Sequence, residues 1–475
     1  MYTSKIIGRE QELTGLEALY FKKESHIVVL YGRRRIGKSF FVEHFMQDKL
    51  HLHFEGLEHL STKEQIQQFT KDLIAQIKDP LLKKINFKNW NDIFDYLTIY
   101  LQKPSKKVVL FFDEFQWMAA GQTKIVSLLK KYWDQEWKKQ SCLLILCGSI
   151  ATFMVKKVIR SSALYGRISL EISLGPLTPS QTAEFLKPPR SLHEILIYNL
   201  TLGGIPKYWE ELSVRKSALQ NLNDLYFKKT GYLFNDFEKV FYSQFKEHAT
   251  YAHIVRILQN PLSLDEIAKK IKTSSGGGLK FYLDNLESAQ FIASYVPYDK
   301  NMNSKLKKYR LIDEPLRFYF KFVEPYKKLI LQNSQKNLFN KLTHHQWEPW
   351  LGLALENFCL KNALLLAENM DFGENVLNYG PHFQQGNQGF QIDLLFQRSD
   401  KVVTLCEIKF QNKPISTSVV AEVERKCQLL KMPRGHTLEK ALICVNGIDE
   451  SLKQLNYFHH VLDIMDLFKK PAKTS

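Results

Sequence analysis

Asp393 and the triplet Glu407-Ile408-Lys409 are residues whose types and spacing could do chemistry. They occur in QIDLLFQRSDKVVTLCEIKF, which predicts two apolar strands joined by the polar turn Gln397-Arg398-Ser399-Asp400. Successive strand side chains point to opposite faces, so Glu407 and Lys409 share one face while Ile408 points into the core. Asp393, on the preceding strand, can reach that same face. Two carboxylates and an ammonium so placed can hold Mg²⁺ or Mn²⁺ against a phosphate and orient a water for attack. An exposed hairpin carrying a cross-strand Asp–Lys or Glu–Lys pair would use the same residue types. However, Ile392, Leu394, Leu395, Leu405, Cys406 and Ile408 flank the acids, and clustered acids that are poorly solvated need a cation. The expected metal ligands are Asp393 and Glu407, with Lys409 steadying a hydroxide or the developing charge on phosphorus. Nothing in the pattern separates DNA from RNA.

A second constellation lies near the N-terminus. HIVVLYGRRRIGKSFFVEHF holds Gly32-Arg33-Arg34-Arg35-Ile36-Gly37-Lys38-Ser39 between a β-run and the helix start at Phe40. The spacing is that of a phosphate-binding loop, whose backbone N–H groups and following helix dipole cradle a nucleotide's phosphates. Lys38 would bridge the β- and γ-phosphates of ATP, and Ser39 would ligate Mg²⁺. In KKVVLFFDEFQWM a buried strand ends by delivering Asp113 to that metal and Glu114 to the attacking water. The strand CLLILCGSI ends at Ser149, placed to sense the γ-phosphate or position the water. Arg167, in Leu164-Tyr165-Gly166-Arg167, offers a cation that could reach the γ-phosphate in cis or from a neighbouring copy in a homo-oligomer, with Arg160 competing for the role. Gly203-Gly204-Ile205-Pro206 breaks a helical region expected to form a lid.

These sites need several elements to position them. A chain of 475 residues exceeds one core, and about three domains is the expectation. Hydrophobic residues make up 44%, which excludes a disordered polyelectrolyte. The formal charge of +17 favours polyanionic partners such as DNA. The six cysteines form no CxxC pair or Cys/His cluster, which points away from zinc and toward a reducing, cytoplasmic location. No apolar run approaches the ~18 residues a membrane span needs, and MYTSKIIGREQEL has no apolar signal core.

The middle of the chain changes pattern. HIVRILQN predicts a helix, Ser263 and Glu266 are spaced as a capping box before a second, and LKFYLDNLESAQFI predicts a third. Thr273–Gly278 reads as the turn between the last two, and IASYVPY and KLKKYRLID as two strands. Three helices and a ribbon make a winged helix-turn-helix. Lys269, Lys270, Lys272 and Lys280 flank its helices. Lys300, Lys305, Lys307, Lys308 and Arg310 decorate its wing. Such cations would meet phosphates, although Asp284 and Glu287 on the third helix would repel them. A rigid interdomain connector would show the same elements.

Taken together, IGRE, GRRRIGKS, LFFDEF, CGS, LYGR and GGIPKYW resemble the prokaryotic, archaeal-type P-loop ATPases related to the AAA and STAND groups. In that family a winged helix and a C-terminal restriction-endonuclease-like PD-(D/E)xK domain follow the ATPase. The resemblance spans essentially the whole chain, and by it Gly8 and Pro206 would lie at the adenine. It implies an α/β multidomain protein: a parallel-sheet P-loop domain over 1–175, a helical lid over 176–245, a winged helix over 246–325 and a nuclease-like domain over 326–475. Such a last domain begins with a helix whose acid joins the metal site. Glu356, inside the apolar helix expected over Leu351–Leu365, matches that position and would hold a metal-bound water. The expected function is a Mg²⁺-dependent ATPase controlling a DNA-binding winged helix and a metal-dependent nuclease. A non-cleaving ATP-dependent regulator of DNA or protein binding, with a degenerate nuclease fold, is the alternative. A signalling scaffold whose winged helix only spaces domains is a third.

Overall fold

The computed structural model describes residues 6–469 apart from 121–122, 246, 297, 299–303, 305–306, 333–336 and 385–388. Lys300 and Lys305 lie outside the described residues. The chain forms two compact units, Thr3–Pro176 and Leu177–Ser475.

The first unit is built on β1 (His26–Tyr31), β2 (His51–Glu55), β3 (Val108–Asp113), β4 (Cys142–Gly148) and β5 (Ile168–Ser173). They form one sheet in the order β2-β3-β4-β1-β5, all parallel. β3 and β4 are buried at every position, which is why both read as unbroken apolar runs rather than alternating ones. Helices Thr62–Gln76, Trp90–Leu101 and Lys124–Gln135 supply much of the aromatic core, with Phe54, Phe69, Phe94, Phe112 and Trp137 packed together. Because β1 and β3 both flank β4, their carboxyl ends bring three separate loops to one edge of the sheet.

After a short helix at Pro179–Ala183, the second unit continues with helices Leu192–Leu202, Pro206–Glu210 and Ala218–Tyr226. Gly203 and Gly204 separate Leu192–Leu202 from Pro206–Glu210, and the Gly204 carbonyl accepts from the Leu177 amide at 2.7 Å. Helices His248–Ile257, Leu264–Ile271 and Gly277–Ser288 follow, with β6 (Leu262–Ser263), β7 (Ile292–Tyr295) and β8 (Lys308–Leu311) in an antiparallel sheet of order β6-β8-β7. The capping box is present: Ser263 N–H donates to Glu266 at 2.6 Å, and Glu266 N–H to Ser263 Oγ at 3.3 Å. The expected turn over Thr273–Gly278 is shorter than the sequence implied, because Gly276 caps a helix that already includes Gly277 and Gly278.

The remaining module begins with helix Trp347–Lys361. The single helix expected over Leu351–Leu365 is instead two, with Ala363–Asn369 bent away by 78°. Strands β9 (Val376–Gln384), β10 (Phe390–Arg398), β11 (Val402–Lys409), β12 (Thr437–Cys444) and β13 (His460–Asp463) form a mixed sheet of order β13-β12-β11-β10-β9. β9–β10 and β10–β11 run antiparallel, and β11–β12 and β12–β13 parallel. Helix Ser418–Leu429 makes the crossover between β11 and β12. Arg398, expected in the turn, closes β10 instead: Asp400 and Glu439 pair with it, so the cation can sit 9% exposed. The turn moves to residues 399–401, where Lys401 takes a left-handed φ of 62°. Among the described residues, no single helix is long and apolar enough to cross a membrane.

Candidate functional site

At the carboxyl edge of the first sheet, the loop after β1 runs into helix Lys38–Met46. Gly37 enters that helix at φ 87°, a conformation that disfavours a side chain. Gly32 passes so near the segment after β5 that a Cβ there would lie 2.3 Å from the Leu174 carbonyl oxygen. The loop is thus shaped by two glycines that its spacing singled out. Lys38 is buried, and its Nζ donates to the Arg33 carbonyl at 3.2 Å, across the loop it closes. Arg34 pairs with Glu58 at 3.3 Å, while Ile36 is buried and Phe40 is exposed.

The three strand ends converge here. Ser39 Oγ donates to Asp113 Oδ2 at 2.5 Å, joining the helix start to the end of β3. Glu114 takes φ 46°, its amide donating to Asp113 Oδ1 at 2.8 Å. From the end of β4, the fully buried Ser149 donates through Oγ to Glu114 Oε2 at 2.6 Å. Gln116 also donates to both Glu114 and Ser149. Sequence reasoning missed Gln116. Its only signal was a buried amide two residues past an acidic pair.

Arg167 is not among these residues. It makes a two-pronged ion pair with Asp134 on helix Lys124–Gln135, with both contacts at 2.8 Å. That carboxylate occupies the guanidinium proposed for the γ-phosphate and holds its pKa above the ordinary value. Gly8 precedes the left-handed Arg9, whose Nη2 donates to the Gly175 carbonyl at 2.5 Å. Pro206 belongs to the second unit, where it opens helix Pro206–Glu210.

In the C-terminal module the four predicted side chains come together. Asp393 sits at a bulge, since Ile392 pairs with His382 and Leu395 with Gly380, leaving Asp393 and Leu394 opposite Pro381 alone. Proline has no N–H to continue the ladder, and bulges re-aim side chains. On its other side the β10–β11 ladder runs to Leu394 opposite Cys406. Beyond it, Asp393 Oδ2 accepts the Ile408 amide at 3.1 Å.

Glu407 is only 1% exposed and Asp393 8%. Burial, then the Glu407 charge, pushes Asp393 up to about 6, against the pull of Lys426. Glu356 is pushed up to about 7, by burial first and then by Asp393. Arg317 opposes that shift. Lys409 Nζ lies 2.7 Å from Glu407 Oε1 and 3.1 Å from Glu422 Oε2. Burial works against the charged lysine, yet those two carboxylates carry it up to about 12.

The second oxygen of Glu407 is taken by Lys426, a residue absent from the sequence reading, at 2.6 Å. Lys426 and Glu422 lie one turn apart on helix Ser418–Leu429 and are 3.3 Å apart at their charged ends. Their spacing on an amphipathic helix gives no hint of which side faces the sheet. Among the described residues, no three His, Cys, Asp or Glu side chains are arranged to hold a metal ion. Both Glu407 oxygens meet ammonium groups instead.

The β8 cations depart from expectation. Arg310 donates to Asn357 Oδ1 at 2.7 Å, and Lys308 Nζ lies 4.6 Å from the centre of the Phe383 ring on β9. Residues 308 and 310 share a strand face, and that face packs on the C-terminal module rather than lying open. Glu287, expected to repel phosphates, accepts from Ser294 N–H at 2.8 Å and Oγ at 2.6 Å. Lys269, Lys270, Lys272 and Lys280 are exposed.

Comparison with known proteins matches two stretches of the chain. Residues 6–212 match a family described as an ATPase domain predominantly from Archaea. Residues 319–425 match a family described as archaeal and bacterial proteins of unknown function, a span that includes Glu356, Asp393, Glu407 and Lys409. An uncharacterized protein of Methanocaldococcus jannaschii is 24% identical over 413 residues, covering 86% of this chain and 88% of its own. An uncharacterized ATP-binding protein of that organism is 35% identical over 43 residues, 9% of this chain and 73% of its own. Among solved structures, a Walker-type ATPase of Pyrococcus abyssi is 20% identical with a TM-score of 0.49, covering 66% of this chain and 96% of its own. The ORC2 protein of Aeropyrum pernix is 12% identical with a TM-score of 0.44, covering 70% and 96%. Residues 6–212 are therefore an archaeal-type P-loop ATPase domain.

Proposed function

We propose that this ATPase controls a metal-dependent nuclease acting on DNA. The observation that carries the reading is the assembly of Glu356, Asp393, Glu407 and Lys409 into one electrostatically coupled cluster at the Asp393 bulge. A helix, three antiparallel strands, a crossover helix and a parallel strand around it support a restriction-endonuclease-like PD-(D/E)xK domain.

At the ATPase site, the touching Ser39 hydroxyl and Asp113 carboxylate are hard oxygen donors of the kind Mg²⁺ takes, so these residues fit the ion. Bound there, it would neutralise phosphate charge. Lys38 would hold the β- and γ-phosphates, and Glu114, fixed by Ser149, would accept a proton from the attacking water.

In the C-terminal cluster, Asp393 and Glu407 would hold Mg²⁺ or Mn²⁺. Burial first, and then the repulsion of Glu407 on Asp393 and of Asp393 on Glu356, keeps both acids above ordinary carboxyl values; a cation would relieve the repulsive part, which is the sense in which the acids fit one. Such an ion would polarise a phosphodiester and lower the pKa of water. Lys409 would oppose charge developing on phosphorus, and Glu356 would orient the water.

The elements 248–311 are consistent with a winged helix, and the exposed Lys269, Lys270, Lys272 and Lys280 would meet DNA phosphates. Incubation with supercoiled plasmid and Mg²⁺ or Mn²⁺, with and without ATP, tests the whole reading. Nicked or linear product is expected, abolished by Asp393→Ala and Lys409→Ala while ATP hydrolysis persists. Equal cutting by the parent and both variants overturns it.

A second reading has its own support. With both Glu407 oxygens held by lysines, and the Lys308–Arg310 face packed inward, a non-cleaving ATP-dependent regulator accounts for the same residues. Nucleotide-dependent binding of DNA or protein without strand breaks would select it.

A further inference from the structure

A cavity of about 390 Å³ lies between the β7–β8 hairpin and β9, with Ser294, Tyr295, Lys307, Arg310, Asn378 and Tyr379 among its walls. Its volume falls in the range of pockets that enclose small ligands. Its chemistry is lopsided toward donors.

Arg310 has no carboxylate ion pair among the described residues, only its hydrogen bond to the Asn357 amide oxygen. Desolvation, then repulsion from Arg317, pushes its guanidinium down to about 10, against the attraction of Tyr295, Tyr379 and Glu314. Glu314 is the acid that could have neutralised it, but both its oxygens are held by Lys361, at 2.8 and 2.7 Å. Lys307 rests 5.6 Å from the centre of the Tyr309 ring and has no acidic partner among the described residues. Tyr295 is 8% exposed, and its buried hydroxyl has no hydrogen-bond partner among the described residues. A buried, unpaired hydroxyl beside a desolvated cation is a costly arrangement that a bound anion would relieve.

We propose that this cavity binds a small phosphate-bearing molecule. The planar fork of Arg310 takes two phosphate oxygens, the Tyr295 hydroxyl donates to the anion, and Lys307 adds charge at the mouth. Asn378 offers hydrogen bonds, and the Tyr379 ring an apolar wall, to whatever the phosphate is attached to. Arg310 also holds Asn357, the neighbour of Glu356 on helix Trp347–Lys361, so the site touches the element that carries that acid. The proposal does not depend on nuclease activity, since binding rather than cleavage is read.

The test uses the full chain carrying Lys38→Ala, so that the phosphate-binding loop is silent. Isothermal titration with inorganic pyrophosphate and with adenosine monophosphate is expected to show saturable binding of at least one probe at one site per chain. Arg310→Gln should weaken it about tenfold or more. Tyr295→Phe, which removes only the unpaired hydroxyl, should weaken it about threefold or more with an unchanged circular dichroism spectrum. A short DNA duplex is titrated in parallel. Silence from both small probes overturns the proposal, as does undiminished affinity in Tyr295→Phe. Arg310-dependent binding of the duplex alone overturns it in favour of a nucleic-acid backbone contact.

Discussion

The Nζ of Lys426 stands 2.6 Å from Glu407 Oε2, and this contact links the crossover helix Ser418–Leu429 to the middle of the C-terminal sheet. Both side chains are almost wholly removed from water, at 6% and 1% exposure. Burial disfavours the charged lysine, but its carboxylate partners outweigh that and raise its pKa. Lys409 meets the other oxygen of the same carboxylate at 2.7 Å, so two ammonium groups converge on Glu407.

Removing one partner of a buried ion pair leaves an uncompensated charge, which costs about 3 kcal/mol or more. Lys426→Met should lower stability by that order in urea denaturation. Adding Glu407→Gln should restore most of the loss, because the buried carboxylate oxygen that Lys426 had met disappears while Lys409 keeps Glu422. Equal destabilisation in the single and double variants would show that the methionine, not the charge, is the cause.

The two raised carboxyls make the C-terminal module sensitive to pH. A carboxyl raised in the folded chain binds a proton that the unfolded chain releases at the same pH. Its stabilising contribution is thus full below the ordinary value near 4.3 and is lost as pH climbs through about 7 for Glu356 and about 6 for Asp393. Glu356→Gln removes the larger of these effects. Relative to the parent, the variant should gain stability progressively from pH 4 to pH 8, by about 2 kcal/mol once partial exposure is allowed for. Calorimetric melts across that range check it, and a gain that is constant with pH would contradict the assignment.

What the sequence made legible follows a physical divide. Gly32–Ser39, Asp113-Glu114 and Ser149 each lie at the end of a largely apolar strand, so burial and spacing placed them at one sheet edge. Glu407 and Lys409 were legible through the two-residue period of a strand. Lys426 was not, because helix phase against a sheet is decided by packing that no local pattern encodes. The bulge at Asp393 depends on Pro381 across the sheet, a partner twelve residues away in sequence. Arg398 looked like a turn residue by its charge, and its burial rests on the distant Glu439 as well as on Asp400. The β8 cations were read as solvent-facing for the same reason: the strand's second face is covered by residues some 50 to 75 positions onward.

At the ATPase site the hydrogen bonds rank the residues. Glu114→Gln removes the proposed proton acceptor and should slow ATP hydrolysis by about 10²-fold or more with nucleotide affinity retained. Ser149→Ala removes the 2.6 Å bond that orients Glu114 together with the one Ser149 accepts from Gln116, so about a tenfold loss in kcat is expected with KM unchanged. Phosphate-release kinetics alongside nucleotide titration separate the two. A Ser149→Ala variant as slow as Glu114→Gln would place the hydroxyl at the reacting atoms instead.

Arg167 is the position where chain and expectation part most clearly, and its ion pair makes the outcome testable. A guanidinium poised for the γ-phosphate of its own chain or a neighbour's would stabilise the transition state, and losing it would cost about 10³-fold in kcat. Here both prongs of Arg167 are spent on Asp134, with the two residues 27% and 28% exposed at their side chains. A pair this accessible contributes about 1 kcal/mol or less to stability. Arg167→Ala and Asp134→Asn should therefore give the same small loss in melting temperature, and the double variant no more than either. Hydrolysis in Arg167→Ala should stay within about threefold of the parent at all protein concentrations. A thousandfold loss in Arg167→Ala that is absent from Asp134→Asn would show that the arginine leaves its partner for the nucleotide during turnover.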